Sequence, residues 1–180
     1  MPINGKPLLG YWLENLSKAG IKEFLINTSY LHQQVEDFVS QSIYKDMVTL
    51  VYEEELLNTG GTLLENEEFF NNESFILVHA DNLSFCDFGA FIKSHHDRMK
   101  KSELTMMLFK SDNPSSCGIV ELDSFNMVVK FYEKVKNPPS DLANGAVYIC
   151  ESSIISFCKR LNKKKIDFSN EVLPYFMGKD

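Results

Sequence analysis

Asp81 closes an apolar run, Phe75-Ile76-Leu77-Val78-His79-Ala80-Asp81-Asn82, that reads as a buried strand. In an open α/β sheet, ligands gather outside the carboxyl ends of the strands, so a carboxylate here is placed to meet a substrate or a metal. Its hard oxygens suit Mg²⁺, which takes one or two carboxylates plus substrate phosphates and keeps several waters. The competing reading is a cap on a helix or turn. A second candidate is Asn58-Thr59-Gly60-Gly61-Thr62, which brings backbone amides to a helix N-terminus where an anion or polar ring atoms can bind. A plain turn before an ordinary helix accounts for the same residues. The third is Glu133-Lys134 at a strand end: a Glu accepting sugar hydroxyls beside a Lys paired with phosphate suits a sugar phosphate, and a solvated ion pair uses the same two side chains. His95-His96-Asp97 lies on a polar helical stretch, where adjacent His residues do not share a face, so no shared metal site is expected. No Ser-His-Asp or Cys-His arrangement can be drawn.

The elements that position these residues alternate along the chain. Leu8, Leu9, Trp12, Leu13, Leu16 and Ala19 recur at helical spacing, with Pro7 suited to the first turn and Gly20 to the C-terminal cap. A short strand at Phe24-Leu25-Ile26, a helix from Leu31 to Val39 and a strand from Val48 to Tyr52 follow. Such alternation predicts parallel strands with right-handed crossovers. A third helix carries Leu63, Leu64, Phe69 and Phe70, and a fourth runs from Asp87 to Met99. Strands are then expected at Leu104 to Phe109, Gly118 to Leu122, Met127 to Tyr132 and Ala143 to Ile149, with a turn at Asn137-Pro138-Pro139-Ser140-Asp141. Short helices near Ser153 to Leu161 and Asn170 to Met177 finish the chain.

The 180 residues predict one domain, 1–180, and the composition, 44% hydrophobic and 24% charged, is that of an ordinary soluble globular protein. A net charge of −7 argues against a nucleic-acid partner, which would call for clustered Lys and Arg; Lys163-Lys164-Lys165 reads as a solvated helix end. No run of about 18 apolar residues is present, so no membrane span is expected. Cys86, Cys117, Cys150 and Cys158 lie far apart, which fits a reducing cytoplasm without disulfides.

Taken in order, these segments resemble the sugar-1-phosphate nucleotidyltransferases, the nucleotide-sugar pyrophosphorylases. Gly5-Lys6-Pro7-Leu8-Leu9, with Leu13-Glu14-Asn15-Leu16 and Ala19-Gly20-Ile21 after it, is similar to the family's Gly-Lys-Pro segment and the helix that follows. Glu55-Leu56-Leu57-Asn58-Thr59-Gly60-Gly61 resembles the base-binding loop, and Ala80-Asp81-Asn82 the Gly-Asp metal motif. Gly118-Ile119-Val120-Glu121, Tyr132-Glu133-Lys134 and Ala143-Asn144-Gly145-Ala146-Val147-Tyr148 resemble the segments of the sugar-phosphate side. Asp167-Phe168-Ser169-Asn170-Glu171-Val172-Leu173-Pro174 looks most like the branch that handles mannose- or heptose-type sugar 1-phosphates with GTP.

The resemblance implies a Rossmann-like three-layer α/β/α fold with a mostly parallel mixed sheet. It also implies a reaction in which the phosphate of a sugar 1-phosphate attacks the α-phosphorus of a nucleoside triphosphate, releasing pyrophosphate. On that reading Asp81 is the catalytic metal ligand for Mg²⁺, and Asn58, Thr59, Gly60 and Gly61 receive the nucleotide. Gly118, Glu133, Lys134 and Asn144 line the sugar-phosphate side. The implied partners are a nucleoside triphosphate and a sugar 1-phosphate, with no nucleic acid and no membrane; a homo-oligomer is left open.

The departures set up the alternatives. Relative to the family the chain is expected to be truncated at both ends, starting after the strand and Gly-x-Gly-Thr-Arg loop that hold the triphosphate and stopping at Asp180, before an Asp-x-Gly-Thr segment. Asn58 stands where the base loop usually has Gly, and Val135 where a proline is usual. A catalytically impaired or regulatory sugar-phosphate-binding remnant is therefore one alternative. A nucleotide-sugar-dependent glycosyltransferase is another, although Asp81-Asn82-Leu83 does not supply the Asp-x-Asp it would want.

Overall fold

Pro7 sets up the first helix. In the computed structural model, which describes residues 2–98 and 102–177, α1 spans Leu8–Lys18 with Pro7 as an extended N-cap. Proline costs little there, because the first N–H groups of a helix have no intrahelical partner. Gly20, at φ 98°, follows the C-cap Ala19. Ahead of α1, strands β1 (Pro2–Ile3) and β2 (Lys6–Pro7) pair antiparallel across Asn4-Gly5, both at positive φ. Lys6 pairs with Glu14 and lies 4.6 Å over the Tyr11 ring. Hydrogen bonds from Lys18 and then Lys6 hold the half-buried Glu14 carboxyl down at about 2.

Contacts gather into two units, each described by itself: Met1–Leu57 with His79–Asp97, and Asn58–Val78 with Arg98–Asp180. In the first, β3 (Phe24–Thr28) and β4 (Val48–Tyr52) pair in parallel, Phe24 opposite Val48 through Thr28 opposite Tyr52. The intervening α2 (His32–Ser40) supplies the crossover that parallel pairing requires. The chain then leaves this unit for α3 (Asn58–Glu65) and β5 (Phe75–Val78), and returns for α4 (Phe88–His96). Asp87 caps α4 by accepting the Ala90 N–H at 2.9 Å; the expected end of that helix at Met99 lies outside the described residues. Trp12, Leu13, Leu16, Phe24, Val39 and Phe88 are the buried apolar side chains of this unit.

The third helix is shorter than its apolar spacing predicts. Asn66 turns its side-chain amide back to the Thr62 carbonyl at 2.8 Å, a local competition that ends helices, and Glu67–Phe70 continue as a 3₁₀ turn.

The second unit corrects the expectation of a mostly parallel sheet. Strands β6 (Leu104–Lys110), β7 (Gly118–Leu122), β8 (Val128–Glu133) and β9 (Leu142–Cys150) form it together with β5, in the order β5-β9-β7-β8 with β6 also on β9. All of these ladders are antiparallel. The mixed α/β class stands, and the physical reason for the pairing is clear. β5 and β6 both oppose β9, so they run parallel to one another with β9 inserted between them. β7 and β8 are joined by a tight turn, which permits only antiparallel pairing.

Helix α5 (Ser153–Arg160) covers this sheet, burying Ile154, Ile155, Phe157 and Cys158 against Tyr148, Cys150, Ile166, Phe168, Val172 and Leu173. The expected last helix starts irregularly, as a π-helical turn at Phe168–Val172 that leads into α6 (Leu173–Phe176). Asp167 caps that turn, taking the Asn170 N–H at 2.9 Å. Burial works against its charge, but the amides of Asn170 and Ser169 overcome this and hold its carboxyl below the usual range. Lys163, from the basic run, pairs with Glu171. No helix among the described residues is long and apolar enough to cross a membrane, and all four cysteines are free.

Candidate functional site

The β7–β8 turn is built on Asp123, whose carboxylate accepts the N–H groups of Phe125 and Met127 at 2.8 and 2.9 Å. Beyond that turn the register shifts by one residue between Glu121 and Leu122, and this shift places Gly118, at the other end of the ladder, opposite Glu133. A Cβ on Gly118 would stand 2.5 Å from Phe131 Cζ and 3.0 Å from Glu133 Oε2, so only glycine leaves room for this carboxylate as it sits. The next residue, Lys134, takes a left-handed backbone at φ 48° while its N–H donates to the Cys117 carbonyl at 3.3 Å. A non-glycine residue there costs about 1–2 kcal/mol, and strain of this kind clusters at ligand sites. Lys134 Nζ lies 3.8 Å from Glu133 Oε1, with 67% and 37% of the two side chains exposed. The pair adds little to stability and leaves both heads open to a ligand.

Asn144 sits in a distorted part of β9. The β6–β9 register shifts between Met106 and Leu108, Ala146 is at φ 53°, and a Cβ on Gly145 would meet the Met107 carbonyl at 3.1 Å. Asn144 stabilises this bulge with both ends of its amide: Oδ1 accepts the Ala146 N–H at 2.9 Å and Nδ2 donates to the Tyr148 hydroxyl at 2.7 Å. Ile119 pairs with Ala143, so Gly118 and Asn144 lie at the same end of the β7–β9 contact. Tyr148 is 1% exposed, with its ring against Phe168. Burial first of all pushes its hydroxyl up to about 12, and the Glu133 carboxylate is close enough to push the same way. Gly118, Glu133, Asn144 and Tyr148 thus form one cluster with Lys134 at its rim. Tyr148 was not singled out from sequence, because an aromatic in a strand reads as core.

The amide-rich segment also belongs to the second unit. Asn58 is at φ 60°, the conformation for which glycine is the default and asparagine the next best, which accounts for the departure at this position. Gly60 gives its N–H to the Ile166 carbonyl at 3.0 Å, and a Cβ there would stand 2.6 Å from Ile166 Cγ2. Its glycine is therefore accounted for by close packing of α3 on Ile166. Thr59 is half-buried and Gly61 buried.

Asp81 lies in the first unit. β5 ends at Val78, so the carboxylate stands on the turn after the strand, which is closed by the Asn82 N–H to the His79 carbonyl at 3.3 Å. It is exposed, and no hydrogen bond or ion pair engages it among the described residues. No group of three or more His, Cys, Asp or Glu able to hold a metal occurs among those residues; in particular His95 is buried while His96 is exposed. A single open carboxylate fits Mg²⁺ bound jointly with phosphate oxygens and does not make an all-protein cage.

Residues 1–180 match the Nucleotidyl transferase family. The chain belongs to that family. It is 28% identical to the mannose-1-phosphate guanylyltransferase of Mycobacterium tuberculosis over 99% of this chain and 49% of that protein. It is also 28% identical to the D-glycero-alpha-D-manno-heptose 1-phosphate guanylyltransferase of Campylobacter jejuni, over 86% of this chain and 66% of that protein. The crystal structure of HddC from Yersinia pseudotuberculosis complexed with GMP-PN superposes with a TM-score of 0.80 at 25% identity, covering 98% of this chain and 76% of that one. The chain thus spans about half the length of the first relative and two thirds of the second. The Rossmann-like α/β fold of the family is the fold of this chain.

Proposed function

We propose that the protein transfers a nucleotidyl group from a nucleoside triphosphate, with GTP favoured, to a mannose- or heptose-type sugar 1-phosphate, giving a nucleotide sugar and pyrophosphate. The observation that carries this reading is the cluster at the end of β7–β8, where Gly118 makes room for Glu133, and Lys134 and Asn144 stand beside it. Glu133 accepts sugar hydroxyls, and Lys134 meets the phosphate as a mobile point charge. The names of the two guanylyltransferase relatives support the substrate class and the preference for guanine.

Asn58, Thr59 and Gly61 receive the nucleotide, with Gly60 seating their helix on Ile166. Asp81 holds Mg²⁺, which when bound neutralises charge on the triphosphate. The protein contributes positioning rather than covalent chemistry. Four free cysteines support a reducing, cytoplasmic setting.

The test is pyrophosphate release with GTP and a panel of mannose- and heptose-type 1-phosphates. Release that requires both substrates supports the transfer reaction; binding of the sugar 1-phosphate without release supports the regulatory binding module instead.

A further inference from the structure

Trp12 is the sole tryptophan of the chain, and it is 3% exposed. Its indole Nε1–H donates to the Asn82 carbonyl at 2.8 Å, and its ring meets Phe88 edge-on with centroids 5.6 Å apart. Asn82 is the last residue of the turn that carries Asp81, and its N–H closes that turn onto His79. The turn is therefore held at Asn82 through both backbone groups, internally by the amide and by the indole of α1 at the carbonyl. The Asp81 side chain itself is exposed, and no hydrogen bond or ion pair engages it among the described residues.

We propose that Trp12 is a positioning residue for the Asp81 carboxylate: its indole N–H fixes the turn so that the carboxylate meets a nucleotide-bound divalent cation without having to be ordered first. This rests on the reading of Asp81 as the metal ligand. Side chains that orient a metal ligand from behind are worth roughly 10- to 100-fold in metal affinity, and a neutral N–H···O=C bond from a single donor belongs at the lower end. Phe88 contributes by holding the indole plane, and Trp12→Phe keeps that aromatic contact while removing the donor.

The experiment titrates Mn²⁺ in the presence of GTP into wild type, Trp12→Phe and Asp81→Asn, following bound Mn²⁺ by electron paramagnetic resonance, with thermal melts to establish that each variant folds. The expected result is about a tenfold weakening of Mn²⁺ affinity in Trp12→Phe and a larger loss in Asp81→Asn. A second measurement needs no change at Trp12: in wild type, Mg²⁺ plus GTP shifts the emission of the single tryptophan with the midpoint of metal binding, and Asp81→Asn abolishes the shift. Wild-type Mn²⁺ affinity in a folded Trp12→Phe, or tryptophan emission indifferent to metal, overturns the positioning role while leaving Asp81 as ligand. Wild-type affinity in Asp81→Asn overturns the metal-ligand reading and the positioning role with it.

Discussion

Gly118 and Glu133 face each other across the last rung of the β7–β8 ladder, and the missing side chain of one is the space used by the carboxylate of the other. Gly118→Ala should therefore displace the Phe131 ring and the Glu133 carboxylate together. Overpacking of this kind costs about 1–3 kcal/mol. The expected outcome is a lower denaturant midpoint and weakened sugar 1-phosphate binding, measured by urea unfolding and calorimetric titration.

Lys134 separates charge from strain. Lys134→Ala and Lys134→Gly should both weaken sugar 1-phosphates more than the unphosphorylated sugars, whereas Glu133→Ala should weaken both kinds of ligand. At φ 48°, however, the glycine variant should be about 1 kcal/mol more stable than the alanine variant. Ligand-observed NMR checks the binding and urea unfolding checks the stability; equal stability would place the backbone strain elsewhere.

The same logic applies to Asn58, at φ 60°. Asn58→Gly should be neutral or slightly stabilising, and Asn58→Ala should cost about 1 kcal/mol. Thermal melts of the pair decide it.

Tyr148 predicts loss of stability in alkali. Its hydroxyl is raised from the ordinary 10.0 to about 12, so its contribution is intact below pH 10 and disappears as pH climbs towards 12. Burial likewise raises the Cys158 thiol from 9.0 to about 11, moving the first losses to just above pH 9. Tyr148→Phe should lose about 1 kcal/mol at neutral pH, through the broken bond from Asn144, and should destabilise less steeply than wild type above pH 10. Urea midpoints across that range test this.

The parallel pair β3 and β4 was legible because apolar Val48–Tyr52 lies one helix away from Phe24–Thr28, and local periodicity is enough to read such a unit. The antiparallel sheet was not, since nothing local to Leu142–Cys150 records that its partners come from residues 75–78 and 104–110. Glu133 and Lys134 were found as a polar pair after an apolar strand, but the glycine opposite acquires its meaning only through register. Asn58 could be recognised as a departure, and only its backbone angle explains why that departure is tolerated. Tyr148 and Trp12 escaped because aromatic residues at strand and helix spacing carry the same signal whether or not they hold a neighbour in place.

β9 also has a bearing on how the protein is made. Neither β5 nor β6 has a described partner except β9, which leaves the ribosome after both. During synthesis Phe75–Val78 and Leu104–Lys110 must wait as unpaired apolar edges, while the β7–β8 hairpin can close by itself. Long-range pairing of this kind is slow, and the waiting strands are the segments open to intermolecular association. Nascent chains halted before residue 142 should engage chaperones through those two strands, and emergence of β9 marks the point at which they can let go.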